Sequence, residues 1–245
     1  MRLINVSMVS YLNAKPFLYG IEKSGAKNKF NITLNFPAAT AQKLKSGAAD
    51  IALLPIAEIS SVPNSLIITD YCIGCNGSVE SVCIFSKVPI EEVKEIFLDY
   101  QSRTSVKLLS ILLKEYWKVS PALLPSYPGY EENINGQTAG LIIGDRTFDL
   151  KNSFEFVYDL GAAWKEFTSF PFVFAAWVSR IPLSEEIIKT LNNAFCFGIE
   201  NIDKVIAENQ NQFPSTDVAT YLKKNIQFNF DNEKKLGMKK FLEWK

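Results

Sequence analysis

Runs of hydrophobic residues, some alternating with polar ones and some continuous, predict β-strands separated by helices. The first strand, 2–8, precedes a helix that begins near Pro16, because proline suits the first turn of a helix. The run IALLP at 51–55 is fully apolar, which is typical of a strand inside a parallel sheet. Further strands are predicted at 31–37, 65–70, 78–87, 96–100, 139–145, 154–160 and 173–180, and a short helix at 40–50.

The clearest helix pattern covers 102–117. Val106, Leu109 and Leu113 recur at spacings of three and four residues, which places them on one face of a helix. The chain also has helical patterns from Ser184 onward, at 184–210, about 216–225 and about 231–244. The C-terminal third is therefore predicted to be mainly helical.

This order of elements predicts an α/β architecture with right-handed, parallel crossovers. Since the C-terminal third has few strands of its own, we expect it to pack back on the N-terminal sheet. We therefore predict a discontinuous first lobe, residues 1–87 plus 174–245, and a second lobe, residues 88–173. Pro89 and Pro171 mark the expected crossings between them.

Composition indicates a well-packed globular protein without excess charge. Of the 245 residues, 47% are hydrophobic, which is enough for a sizeable core. The 26 Lys and Arg residues balance 26 Asp and Glu residues, so the positive charge that marks nucleic-acid binders is missing. The chain has no apolar run long enough for a membrane span, and MRLINVSMVSYL lacks the apolar core of a signal peptide. We expect a cytoplasmic protein with no nucleic-acid or membrane partner.

The residue types restrict the available chemistry. Histidine is absent, which removes the commonest general base and the commonest metal ligand. Cys72 and Cys75 form a C-x-x-C pair that is compatible with a redox or zinc site, but neither a second pair nor a histidine accompanies it. Buried cysteines in a reduced compartment are the favoured interpretation, and we expect no metal and no cofactor.

The segment SRTSV is the strongest candidate for a ligand site on physical grounds. Ser102, Thr104 and Ser105 would gather at the start of the 102–117 helix, beside unpaired backbone N–H groups and the positive end of the helix dipole. This arrangement suits a carboxylate or a phosphate. The alternative is ordinary capping by Ser102, which needs only one hydroxyl. Arg103 would contact the same anion or point to solvent.

Three other features are open to two interpretations. Asp145, at the end of a buried strand in GDR, lines a cleft or merely caps or pairs with Arg146. Ser81 by itself is an ordinary strand serine. The aromatic residues between 162 and 177 are mainly core residues, with a minority available to wall an apolar pocket.

Five motifs in this order resemble the chorismate dehydratase family of menaquinone biosynthesis. They are VSYLNAKPF (9–17), SVESVCI (78–84), SRTSVKLLSILL (102–113), LIIGD (141–145) and DLGAAWKEFTSFPFVFAAW (159–177). The segment TSFPFVFA departs from the family, where Thr-Gly-Leu-Pro is common. The related dihydroxynaphthoate synthases use a catalytic histidine, which this chain lacks.

The resemblance implies a type II periplasmic-binding-protein-like fold with a ligand cleft between two α/β lobes. It implies that Asn13 and Ser81 are catalytic and that chorismate is the partner. A homodimer is compatible with the sequence. The alternative for Asn13 is a helix cap. The expected substrate-binding residues are Tyr11, Pro55, Ser102, Thr104, Ser105, Asp145 and Phe172.

The chemistry implied by the resemblance is loss of water from chorismate to give 3-[(1-carboxyvinyl)oxy]benzoate. A strong protein base is not required, because the product is aromatic and the substrate carries its own carboxylates. We hypothesise that the enolpyruvyl carboxylate takes the proton, oriented by Asn13 and Ser81. The alternative classes are a solute-binding protein for a small carboxylate and a ligand-sensing regulatory domain.

Overall fold

The computed structural model describes residues 2–244, which form strands and helices in alternation. The strands are β1 (Ile4–Val9), β2 (Phe30–Asn35), β3 (Ile51–Pro55), β4 (Leu66–Cys75), β5 (Val82–Ser86), β6 (Glu95–Leu98), β7 (Ala122–Pro125), β8 (Thr138–Ile143), β9 (Phe156–Asp159), β10 (Phe172–Ser179) and β11 (Gln227–Asn229). The helices are α1 (Lys15–Lys23), α2 (Pro37–Ser46), α3 (Arg103–Ile111), α4 (Arg146–Leu150), α5 (Leu160–Thr168), α6 (Glu185–Glu200), α7 (Ile202–Asn209), α8 (Val218–Thr220) and α9 (Asn232–Glu243).

The strands form two mixed sheets. The first has six strands in the order β11-β4-β10-β3-β1-β2, and the second has five in the order β7-β6-β8-β5-β9. The expectation of parallel sheets is correct only in part. Strand β1 is parallel to β2 and β3, and β6 is parallel to β7 and β8. However, β10 is antiparallel to both of its neighbours, β3 and β4, and β5 is antiparallel to β8 and β9.

The predicted two-lobed α/β class is confirmed, with one difference in where the sheets divide. Strand β5 pairs with β8 and β9 in the second sheet, although the prediction assigned 82–86 to the first lobe. The C-terminal segment returns to the first sheet through β11, which pairs with β4. The lobe boundaries at 87 and 173 themselves stay a prediction.

Most helices follow the hydrophobic pattern, and the differences lie at their ends. The pattern at 102–117 forms α3 and then a π-helical turn over Leu112–Trp117. The single helix predicted at 184–210 is interrupted at Asn201, between α6 and α7. Helix α5 was missed, because the aromatic residues of this segment resemble a strand as much as a helix.

The core positions the segment that follows β1. Phe17 of α1 packs against Trp177 of β10 and Phe195 of α6, with ring centroids 5.6 Å and 4.7 Å apart. Helix α1 lies so close to α6 that a side chain at Gly20 or Gly198 would overlap backbone atoms. The turn that leads from β1 into α1 is therefore held against rigid elements.

Cys72, Cys75 and Cys83 are buried, as predicted, whereas Cys196 is partly exposed. Burial raises the pKa of the Cys72 thiol to about 12. Within residues 2–244, no cluster of Cys, Asp and Glu side chains is placed to hold a metal ion. Over the same residues, no helix is both long and apolar enough to cross a membrane.

Candidate functional site

Residues of both sheets line a cavity with about 520 Å³ of empty space, including its mouth. The described residues that line it are Val9, Tyr11, Asn13, Pro37, Pro55, Ile73, Val79, Ser81, Val82, Ser102, Ser105, Ile143, Gly144, Phe174 and Ala175. None of these side chains carries a formal charge, so a charged ligand would depend on hydrogen bonds and on helix dipoles.

Six of the nine predicted site residues line this cavity. They are Tyr11, Asn13, Pro55, Ser81, Ser102 and Ser105. The remaining three, Thr104, Asp145 and Phe172, lie outside the lining. The structure therefore brings together the two predicted catalytic residues and part of the predicted helix N-terminus.

Asn13 lies in the short turn Leu12–Ala14 between β1 and α1. It does not cap the helix, because the N-cap residue of α1 is Ala14 and no side chain caps that end. Asn13 is 8% exposed, and its Oδ1 atom has no hydrogen-bond partner within residues 2–244. An unpaired buried amide oxygen is costly. This oxygen belongs to a residue of the cavity wall and has its acceptor capacity unused.

Ser81 lies just before β5, where the chain enters the second sheet. Its hydroxyl accepts a hydrogen bond from the Tyr221 hydroxyl at 2.8 Å and donates to the Val79 carbonyl at 3.4 Å. The preceding residue, Glu80, has a φ of +68°, which non-glycine residues rarely adopt. This strained backbone is held by the half-buried Asp159 carboxylate, which accepts from the backbone N–H groups of Val79 and Glu80.

The N-terminus of α3 presents hydroxyl groups to the cavity. Ser102 caps the helix by accepting from the Ser105 N–H at 3.1 Å, and its hydroxyl donates to Ser105 Oγ at 2.9 Å. None of the hydrogen bonds of residues 2–244 uses the hydroxyl proton of Ser105. Ser102 is therefore both a cap and a lining residue, and Ser105 is left as a donor beside the positive end of the helix dipole.

Two neighbours of these serines connect the two sheets instead of lining the cavity. Thr104 Oγ1 is buried and accepts from the Ala57 N–H at 3.1 Å. Arg103 is mostly exposed and pairs with Glu58 at 3.2 Å. Both bonds hold the start of α3 against the segment after β3.

Asp145 also connects the two halves of the molecule. Both of its carboxylate oxygens accept from the Leu12 N–H at 3.1 Å, beside Asn13. Asp145 makes no capping bond to α4, and the Arg146 side chain pairs with Asp99 and Glu131 instead. Asp145 therefore holds the turn that carries Asn13, which is neither of the two roles considered from the sequence.

Phe172 is a core residue in this structure. It is 1% exposed and packs against Trp164 and Phe241, with ring centroids 5.4 Å and 5.0 Å apart. Phe174, two residues further along β10, is partly exposed and lines the cavity. The aromatic wall therefore comes from Phe174 and Tyr11.

A sequence model of the family described as "Menaquinone biosynthesis" matches residues 4–245. The chain belongs to this menaquinone biosynthesis family. A curated relative, the chorismate dehydratase of Thermus thermophilus, is 26% identical over 267 aligned positions, which cover 99% of this chain and 95% of the relative.

Solved structures similar to this member of the menaquinone biosynthesis family share its fold at low sequence identity. A protein of Archaeoglobus fulgidus is 15% identical with a TM-score of 0.75, over 98% of this chain and 95% of that one. A Candida albicans gene product with the generic periplasmic-binding-protein fold is 14% identical with a TM-score of 0.67, over 99% and 90%. The alkanesulfonate-binding protein SsuA of Xanthomonas axonopodis pv. citri, bound to MOPS, is 13% identical with a TM-score of 0.62, over 98% and 89%.

Some residues that shape the cavity were not predicted as site residues from the sequence. Gln101 accepts from the Tyr11 hydroxyl, and its backbone carbonyl accepts from the Ala38 N–H at 3.1 Å. Gly144 lies under the Tyr11 ring. The turn before α3 is fixed by the buried Asp99 carboxylate, which accepts from the Gln101 N–H at 2.8 Å. Of these three residues, only Gly144 has a recognisable sequence signal, because a glycine directly after a buried strand indicates a tight turn.

Replacing Asp145 by Asn is expected to change how stability depends on pH. Burial raises the pKa of Asp145 from 3.8 to about 6, while the Leu12 N–H and Lys15 oppose this rise. The folded protein then holds this proton more tightly than the unfolded chain does. The carboxyl group therefore favours the folded state below about pH 4, and this contribution is lost as the pH rises through about 6.

Urea unfolding of the wild type and Asp145→Asn between pH 4 and 7.5 measures this effect. The free energy of unfolding of the variant, relative to wild type, should increase by about 2–3 kcal/mol over this range. Asp149→Asn removes an exposed carboxylate from α4, the helix that directly follows Asp145, and is the matched control. Parallel pH profiles for the wild type and Asp145→Asn would show that burial of Asp145 has no such effect.

Proposed function

We propose that the protein is a chorismate dehydratase, a hydro-lyase that converts chorismate into 3-[(1-carboxyvinyl)oxy]benzoate. This reaction is the first step of the futalosine route to menaquinone. The observation that carries the proposal is a cavity in which Asn13, Ser81 and the α3 N-terminus converge without a charged side chain in the lining. The proposal is further supported by the family of the chain and by the name of its curated relative.

The reaction breaks the C3–H and C4–O bonds of chorismate and forms a double bond between C3 and C4. The C3 proton is vinylogous to the ring carboxylate, so the negative charge that develops at C3 spreads onto that carboxylate. Water leaves as the C4 hydroxyl group combines with the proton, and the ring becomes aromatic. The protein therefore needs to hold the ring, stabilise the ring carboxylate and bring a proton acceptor to C3.

The donors at the start of α3 suit the ring carboxylate. Ser105 has a free hydroxyl proton, and the backbone N–H groups of the first helical turn add their dipoles. Such donors stabilise charge most strongly in a dry cavity, where the dielectric constant is low. Phe174 and Tyr11 would pack on the ring and exclude water.

Asn13 and Ser81 suit the enolpyruvyl carboxylate, which we propose as the acceptor of the C3 proton. An amide and a hydroxyl hold a carboxylate by hydrogen bonds without taking the proton themselves. A cationic side chain in this place would lower the basicity of the carboxylate. The neutral lining therefore fits a substrate that supplies its own base.

A solute-binding protein is the second candidate. The fold resembles that of an alkanesulfonate-binding protein, and neutral donors at a helix N-terminus are sufficient to bind a small anion. Such a protein would bind chorismate or another carboxylate and release it unchanged.

We expect purified protein to convert chorismate into a product that is lighter by one water, with the absorbance of a substituted benzoate. Liquid chromatography with mass spectrometry measures this conversion, and a blank without protein gives the spontaneous decay of chorismate. Protein from the same preparation, heated to unfold it, is the second control. Recovery of bound, unchanged chorismate from the native protein would reject the dehydratase and favour the binding protein.

A further inference from the structure

A tyrosine of the C-terminal segment contacts the proposed catalytic centre. Tyr221 is 1% exposed, and its hydroxyl donates to Ser81 Oγ at 2.8 Å across 140 positions of sequence. Tyr221 is therefore a buried residue that contacts the proposed catalytic Ser81 from behind the cavity wall.

The local structure around Tyr221 fixes the position of its ring. Asp217 caps α8 by accepting from the N–H groups of Ala219 and Thr220. The next residues, Tyr221–Asn225, form a π-helical turn in which the Ile226 N–H donates to the Tyr221 carbonyl at 3.0 Å. Such π-helical turns are rare in proteins as a whole, and those that occur frequently lie at functional sites.

The same π-helical turn holds the strained segment before β5 at two points. Tyr221 binds Ser81, and the Asn225 side chain donates to the Ser78 carbonyl at 3.2 Å. The ring of Tyr221 packs edge-on against Phe148 of α4, with centroids 5.0 Å apart. The hydroxyl thus has little freedom to leave Ser81.

The direction of the hydrogen bond determines what Ser81 can do. A serine hydroxyl has one proton, and Ser81 receives the Tyr221 proton on its oxygen. Its own proton points to the Val79 carbonyl at 3.4 Å, which is a long hydrogen bond that a ligand oxygen can replace. Burial raises the pKa of Tyr221 well above its usual value, so the phenol stays a donor at every relevant pH.

We propose that Tyr221 is a positioning residue that holds the Ser81 hydroxyl in one rotamer with its proton available to the substrate. The inference rests on the proposed function, because it gives Ser81 a task in proton removal from chorismate. The alternative is a structural tyrosine whose hydroxyl is merely satisfied by the nearest oxygen. The two roles predict different results. Only in the positioning role does the effect of the Tyr221 hydroxyl on turnover depend on the presence of Ser81.

Tyr221→Phe removes the hydroxyl and keeps the ring that packs on Phe148. We expect kcat for chorismate to fall about tenfold to a hundredfold, with KM changed less than about threefold, since the hydroxyl acts through a group used in the transition state. In the Ser81→Ala background the same change should lower kcat by less than about twofold, because the partner is gone. An equal loss of kcat in both backgrounds would overturn the positioning role.

Tyr158→Phe is the matched control. The Tyr158 hydroxyl accepts from the Ile90 N–H at 2.9 Å in the second sheet, and Tyr158 does not line the cavity. We expect this variant to keep wild-type kcat. Thermal unfolding of both variants separates a loss of folded protein from a loss of turnover.

Crystal structures of the wild type and Tyr221→Phe test the same inference without turnover. We expect Ser81 Oγ in one rotamer in the wild type and in two or more in the variant, with Ser102 unchanged in both. A single, unchanged Ser81 rotamer in Tyr221→Phe would overturn the inference. Wild-type protein that leaves chorismate unchanged rejects the proposed function, and the rotamers of Ser81 then still decide whether Tyr221 positions it.

Discussion

Replacing Asn13 and Ser81 together by alanine is expected to lower kcat/KM for chorismate by about a thousandfold. Groups that orient a proton acceptor or stabilise developing charge typically contribute 10²–10⁴ in rate each, and two groups that act as a unit do not add. Both residues line the cavity, and the amide oxygen of Asn13 has no hydrogen-bond partner among residues 2–244. Steady-state kinetics with purified variants measures the effect.

The double variant should remain folded, because neither side chain fills a large space in the core. Removing Asn13 Oδ1 even eliminates an unsatisfied buried atom. The control is a double variant that combines Asn192→Ala with Ser110→Ala. It changes the same two residue types outside the cavity lining. Unchanged turnover in the Asn13 and Ser81 variant would show that other groups carry the reaction.

Gly144→Ala is expected to weaken chorismate binding by about a hundredfold, through the position of Tyr11. A Cβ atom at Gly144 would lie 2.6 Å from Tyr11 Cζ, closer than real side chains approach. The Tyr11 ring must then move out of the cavity wall, together with its hydrogen bond to Gln101. A displacement of about 1 Å in a positioning group can cost 10²-fold.

The control for Gly144→Ala separates this contact from backbone strain. Gly144 has a φ of +69°, so any other residue there also pays a conformational cost of about 1–2 kcal/mol. Gly136 has a φ of +56°, and a Cβ atom added there would meet no atom of a non-neighbouring residue within 4 Å, so Gly136→Ala carries only the conformational cost. Steady-state kinetics should show a higher KM for chorismate in Gly144→Ala alone. An equal KM in Gly144→Ala and the wild type would show that the contact between Gly144 and Tyr11 does not affect binding.

The part of the site on α3 could be predicted because it depends on local sequence. Ser102 precedes a hydrophobic stripe of helical period, so its place at a helix N-terminus follows from spacing. Asn13 and Ser81 carry no such pattern and were suggested by the resemblance to a family. Both line the cavity, and their catalytic roles stay a prediction.

The contacts across the molecule had no signal in the sequence. Tyr221 and Ser81 are 140 residues apart, and no periodicity relates two such positions. Phe172 and Phe174 are both aromatic residues of β10, so composition does not decide which one lines the cavity. Strand direction was also hidden, because an apolar run reads the same in a parallel and an antiparallel pair.

The place of β10 in the first sheet affects the order in which the two sheets can be completed during synthesis on the ribosome. The second sheet uses one continuous stretch, β5 to β9, whereas β10 lies between β3 and β4 at the centre of the first sheet. The strands that emerge first therefore wait for a central partner about a hundred residues downstream. The strands of the second sheet are thus all made before the first sheet can be completed, and Tyr221 can reach Ser81 only after β10 has been made.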